Sequence, residues 1–241
     1  MSQHNGAGHA LLIALHRKQR KMQTKQSIAI VGATGSMGAA ISEALAKGPF
    51  RLLLHAPKKD KLKTLTQKIR KAFPSAEVEA IDCSFNASWE ADIIILAVPY
   101  DVEKELALKI KQVANQKIVV SISNPLNHSY DRLVTAPGSS AAEELQKLLP
   151  NSKVVKAFNT TFAASFHTPV IDRKRLDAFI AGNDPEAVDT VKKLVETAGF
   201  NPVLAGGLDV SSTLEGMQLL LIRLRMRNQD GWEAGWKILH R

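Results

Sequence analysis

The chain has 241 residues, enough for one large domain or one domain with a small appendage. Hydrophobic residues make up 45% and charged residues 23%, which excludes a disordered chain. The single cysteine, Cys83, excludes a disulfide framework and a cysteine-based zinc cluster. A net charge of +9 suits an anionic partner, but aromatics at 5% argue against a base-stacking nucleic-acid platform.

Residues 1–24 carry Arg17, Lys18, Arg20 and Lys21 with no acid, and read as a flexible extension. A mitochondrial-type presequence is the competing reading, with Met22 as an alternative start. No run of about eighteen apolar residues follows, so no membrane-spanning helix is expected. His4, His9 and His16 have no carboxylate or thiol near them in sequence and read as surface, not as metal ligands.

Ordered structure is predicted to begin with a β-branched strand over 27–31, a helix over 36–47 stopped by Gly48-Pro49, and a strand over 51–55. A lysine-rich helix over 58–72 and a strand over 77–81 follow. Residues 92–98 form the most hydrophobic strand, apolar on both faces as a central parallel strand must be. Next come a helix over 102–113, a strand over 117–122, a helix over 141–149 and a strand over 154–158. Strands over 177–181 and 202–204 flank a helix over 183–198 capped by Asn183 or Asp184. A long helix over 209–226 and an amphipathic helical turn or two over 232–239 close the chain. Alternating strands and helices make this an α/β protein with a parallel sheet covered on both faces.

The first strand runs into Gly32-Ala33-Thr34-Gly35-Ser36-Met37-Gly38. Glycines there permit a tight turn and let backbone N–H groups meet a pyrophosphate at a helix N-terminus. The second strand ends in His55-Ala56-Pro57-Lys58-Lys59, with no acid until Asp60. A carboxylate at that point would hold the ribose 2′-OH of NAD, so cations there predict NADP. Solvated lysines on a helix face are the bland alternative. Tyr100-x-x-x-Lys104 matches a short-chain dehydrogenase pair but stands too early in the chain. Lys156-x-x-Asn159 matches a hydroxyacid dehydrogenase pattern, but the lysine falls on a predicted strand instead of a helix.

Read together, these motifs resemble the coenzyme F-420-dependent NADP oxidoreductase family, which includes the oxidoreductase domain of membrane metalloreductases. The matching pieces are GATGSMG, ILAVPYD, SNPL, GSSAAEELQKLLP, VVKAFNT, AGNDPEA and GFNPVLAGGL, in order from residue 27 onward, with a similar tail at 231–239. The resemblance implies a Rossmann domain over 25–160, doubly wound and mostly parallel, and a C-terminal α/β-to-helical part over 161–241 that completes an acceptor pocket and a homodimer interface. By position, Gly32, Thr34, Gly35, Ser36, Met37 and Gly38 match the pyrophosphate turn. Val98, Pro99 and Tyr100 match the neighbourhood of the nicotinamide ribose. Asn124, Asn159 and Ala163 match the nicotinamide side, and Ala234 the tail near a second redox ring. The family grips the 2′-phosphate with Ser-Arg and a nearby Lys. Here Ala56 and Pro57 replace the first two and Lys61 matches the third, leaving His55, Lys58 or Lys59 to compensate.

The implied activity is hydride transfer between NADP(H) and a small-molecule acceptor: a deazaflavin coenzyme, FMN or FAD. It needs no catalytic acid or base, since the cofactors carry the chemistry. An NADP(H) sensor acting through a partner is the alternative. The expected location is cytoplasmic, without membrane or nucleic-acid partners. Asn124 and Asn159 either orient the carboxamide or cap strand ends. Trp232 and Trp236, four apart, would share one helix face. They would pack on the last helix, pack across a dimer, or close the pocket.

Overall fold

The computed structural model describes residues 25–229 and 231–239. The extension, Met22, and His4, His9 and His16 lie outside the described residues. The first half alternates β1 (Ser27–Val31), α1 (Ser36–Leu45), β2 (Arg51–His55), α2 (Lys59–Ala72), β3 (Glu77–Ala80), α3 (Ser84–Glu90) and β4 (Ile93–Leu96). Then come α4 (Tyr100–Ile110), β5 (Ile118–Ser121), α5 (Ala141–Leu148) and β6 (Lys153–Lys156). A small hairpin, β7 (Val170–Ile171) and β8 (Lys174–Arg175), precedes β9 (Asp177–Gly182), α6 (Pro185–Thr197), β10 (Asn201–Gly206) and α7 (Ser211–Asn228).

Eight strands form one sheet in the order β10-β9-β6-β5-β4-β1-β2-β3. From β3 to β6 every pair is parallel, the doubly wound order of a Rossmann fold. β9 then joins β6 antiparallel, and β10 runs parallel to β9 at the edge. The C-terminal part therefore extends the same sheet before it ends in helix.

Alternation along the strands divides the core. Ile28, Ile30, Leu52, Leu54, Ile93 and Ile95 pack in one cluster with Ile41 and Leu45 of α1, Leu62 and Ile69 of α2 and Leu194 of α6. Ala29, Val31, Leu53, Ile94 and Leu96 pack on the opposite face with Leu106 and Ile110 of α4 and Leu145 of α5. This explains why residues 93–96 are apolar without alternation: both faces are covered. Caps fix the later helices. Ser140 Oγ caps α5 by accepting from Glu143 N at 3.2 Å, and donates to Glu143 Oε2 at 2.8 Å. Of the two candidate caps for α6, Asp184 takes the role, accepting from Ala187 N at 2.8 Å, with Pro185 in the first turn.

Beyond α7 the structure corrects the expectation of a helical tail. Residues 231–239 hold no helix; they are extended and irregular. Asp177 N donates to Trp236 O at 2.8 Å in an isolated antiparallel bridge. The Asp177 carboxylate accepts from Ile238 N at 2.6 Å and from Lys237 Nζ at 2.7 Å. These bonds hold the segment along the start of β9, so Trp232 and Trp236 do not share a helix face.

Candidate functional site

The turn after β1 is built by two close backbone approaches. Gly32 has φ +92°, and a Cβ there would meet Ala97 O at 2.2 Å, just past β4. A Cβ on Gly38 would meet Gly32 O at 2.2 Å, so α1 packs directly on the turn. Thr34 is half-buried, and Gly35 and Ser36 are exposed. Gly35 caps α1 without a side-chain hydrogen bond, and no acid lies in the first turn. Among the described residues nothing accepts from the N–H groups of Ser36, Met37 and Gly38. A helix start stripped of internal partners, with its dipole uncompensated, fits a pyrophosphate.

Gly32 N and Ala33 N donate to His55 O at 2.8 and 3.0 Å, which brings the end of β2 beside the turn. Past it, Ala56 is buried, while Lys58, Lys59 and Lys61 are exposed. Lys59 lies 3.3 Å from Asp82; Lys58 and Lys61 have no ion pair among the described residues.

A cavity of about 560 Å³ opens on the other side of the turn. Ser36 and Met37 of α1 line it, with Asn124 after β5 and Asn159 after β6. Ala163, of the short 3-10 segment Ala163–Phe166, and Phe162, just before it, add an apolar wall. Gln218, Ile222 and Met226 of α7 and Trp232 of the tail complete it. The Trp232 ring meets Phe162 edge-on, centroids 5.1 Å apart. Asn159 Nδ2 donates to Asn124 Oδ1 at 3.0 Å, and Asn124 Nδ2 donates to Asn159 O at 3.0 Å. That leaves Asn159 Oδ1 buried with no partner, an acceptor suited to the amide of a nicotinamide.

Ser36, Met37, Asn124, Asn159 and Ala163 thus meet in one cavity, with Gly32, Thr34, Gly35 and Gly38 in the adjoining turn. Ala234 sits behind the wall, packed with Phe162, Leu221 and Ile222, and its carbonyl accepts from Ser165 Oγ at 2.9 Å. Val98 is half-buried against Gly32, and Pro99 caps α4. Tyr100 is not in this cavity. With Lys104 it lines a separate one between α4 and α5, where its hydroxyl donates to Glu144 at 2.6 Å. Burial and then Glu144 raise its pKa, the opposite of a hydroxyl poised to act as a base.

Lys156 ends β6, wholly buried, and donates to Glu215 Oε1 of α7 at 2.6 Å and to Ser123 O. Glu215 also accepts from Ala141 N at the start of α5. Glu103 accepts from Ser121 and Ser123 hydroxyls at 3.0 and 2.8 Å. Burial raises the pKa of both acids against the pull of Lys156. This cluster fixes the backbone beside Asn124 and ties α7 to the Rossmann core. Sequence reading singled out Lys156 only as half of a motif and missed Glu103, Glu215 and Gln218. The available signal was a lone polar residue on the apolar inner stripe of a helix.

A doubly wound sheet, an uncapped glycine turn at its switch point and an amide-lined cavity beyond define a dinucleotide-binding Rossmann protein. Residues 27–125 match the family described as NADP oxidoreductase, coenzyme F420-dependent. An F420-dependent NADP reductase of Methanocaldococcus jannaschii is 31% identical over 211 residues, covering 83% of this chain and 92% of the relative. One from Methanothermobacter marburgensis is 24% identical over 210 residues, covering 84% and 93%. The chain belongs to the coenzyme F420-dependent NADP oxidoreductase family. A solved structure from Arthrobacter sp. FB24 shares the fold at TM-score 0.75 with 21% identity, covering 90% of this chain and 99% of that one.

Proposed function

We propose that this protein transfers hydride between NADP(H) and a deazaflavin coenzyme, with FMN or FAD as further acceptors, as a cytoplasmic homodimer. The observation that carries this reading is that one helix, α1, supplies both the phosphate turn and a wall of the cavity, through Ser36 and Met37. A dinucleotide anchored at the turn then reaches the cavity with its nicotinamide. The bound pair supplies the redox chemistry itself, a two-electron hydride passing between the two rings.

The chain's own residues bind, orient and exclude water. The N–H groups of Ser36, Met37 and Gly38 take the pyrophosphate; Lys58 and Lys61 take the 2′-phosphate. Asn159 Oδ1, held by its bond to Asn124, accepts from the carboxamide and fixes the ring's orientation. Phe162, Ala163, Ile222, Met226 and Trp232 form the apolar wall against which two rings stack. Residues 161–241 thereby complete the acceptor side.

Anaerobic stopped-flow mixing of the protein and NADPH with the deazaflavin coenzyme, FMN and FAD in parallel tests the reading. Oxidation of NADPH matched by reduction of the deazaflavin is expected. Tight NADPH binding with no acceptor reduced would sink it and leave a cofactor sensor.

A further inference from the structure

The cavity holds a second amide that the arrangement above leaves unused. Gln218 is 3% exposed, lies on the inner face of α7 one turn after Leu214 and one before Ile222, and lines the cavity. Its Oε1 is buried with no partner, and the amide makes no hydrogen bond among the described residues. Burying an amide unpaired is unfavourable, and buried polar atoms in folded proteins nearly always have partners. A leucine or methionine would continue the apolar stripe of Leu214, Leu221 and Ile222 without that penalty. An amide kept here fits a partner that arrives with a ligand.

We infer that Gln218 is a specificity-determining residue that hydrogen-bonds the imide edge of the second redox ring, accepting from its ring N–H. This rests on the proposed hydride transfer and deepens it. The two orphaned amide oxygens of the cavity stand on different walls. Asn159 projects from the strand ends beside the phosphate turn, where the dinucleotide is tethered. Gln218 belongs to α7, with Ile222 and Met226. A nicotinamide presents an amide N–H to the first; a flavin or deazaflavin presents its pyrimidinedione N–H to the second. Rotation about the last torsion of glutamine is soft, so the amide can turn either atom to the ring. The acceptors selected are then rings with an N–H between two carbonyls, in preference to quinones or dyes that lack it. Rejection of the unmatched ring follows from leaving the glutamine unpaired again.

The test uses 5-deazariboflavin and its N3-methyl derivative as probes, bound to the full protein with NADP+ and followed by quenching of ring fluorescence. NADPH oxidation by each ring is measured alongside. Wild type should favour the N–H ring by roughly tenfold. Gln218→Met, similar in volume, should bring that ratio within twofold of one and leave NADPH affinity unchanged. Gln218→Glu keeps an acceptor and should retain the preference, so it decides the matter if the methionine variant folds poorly. An unchanged ratio in Gln218→Met would overturn the inference. A lowered melting temperature with the ratio intact would do the same, and would mark the role of Gln218 as structural. A wild-type ratio near one with normal turnover defeats this inference alone. Binding of neither ring and no turnover defeats the reading beneath it as well.

Discussion

Lys58 and Lys61 differ from Lys59 in one respect that decides their use. Lys59 lies near Asp82, while the other two have no carboxylate partner among the described residues. A 2′-phosphate placed past β2 therefore meets two uncommitted cations without first breaking an ion pair. A charge-assisted contact contributes about 1.5–3 kcal/mol in protected sites and less at an exposed one. The Lys58→Gln/Lys61→Gln double variant should lose about tenfold in NADPH affinity with NADH affinity unchanged. Lys59→Gln should lose much less. Isothermal titration of both nucleotides checks this; equal losses for all three lysines would refute the assignment. The cation-rich, acid-poor end of β2 was legible in the sequence because a missing carboxylate is a local feature. The pairing of Lys59 alone was not, because Asp82 arrives from the loop after β3.

At the scale of elements, the tail illustrates where local pattern fails. The four-residue spacing of Trp232 and Trp236 suits a helix, but Gly231 and Gly235 weaken that preference and Asp177 offers a stronger set of bonds. Burial favours a neutral Asp177, yet Ile238 N–H, Lys237 and Asn201 outweigh it and hold its pKa below the usual carboxylate value. A group lowered in the folded state stabilises fully above its unfolded pKa of about 3.9, and that contribution is lost as pH falls through the folded value. Asp177→Asn should cost about 1.5–3 kcal/mol at pH 7. Urea denaturation at pH 7 and pH 3 should show the gap between wild type and variant narrowing in acid; a constant gap would mean the carboxylate charge is not what holds the tail. Strands β1, β2, β4, β5 and β6 were legible because apolar runs between helical periods have few alternatives. The seven-residue α3 and the β7–β8 hairpin were not, being too short to show a period. The candidate site divides in the same way. Its turn is a contiguous motif, whereas Gln218 reaches the cavity only through tertiary packing; for Trp232 the sequence offered pocket closure as one reading, but on a helix the tail does not form.

For the whole molecule, the apolar face of α7 is only partly covered. Leu214 and Leu221 are buried, whereas Leu220 is 50% and Leu224 42% exposed, one turn apart on the outer side. Met226 and the edge-strand residue Leu204 are each 54% exposed. This is the surface assigned to the proposed homodimer. Association there would remove apolar area from water at roughly 25 cal/mol per Å². Light scattering at micromolar concentration should give twice the chain mass, and Leu220→Lys/Leu224→Lys should give the monomer with its melting temperature reduced. A monomer mass for the wild type would end the dimer reading.

The edge-on contact of Trp232 with Phe162 also makes the cavity optically self-reporting. Of the three indoles, Trp89 is 69% exposed on α3 and Trp236 is held against β9; only Trp232 lines the cavity. A dihydronicotinamide absorbs where indole emits, so its arrival should quench tryptophan emission by energy transfer, most strongly from Trp232 in the cavity lining and Trp236 packed behind it. NADPH titrated into the wild type should dim the tryptophan emission in a saturable curve. Trp232→Phe should lose the largest share of that signal and Trp89→Phe the smallest. Equal quenching in both variants would place the nicotinamide elsewhere. Each turnover would then be visible as a flicker of native tryptophan emission, with no label attached.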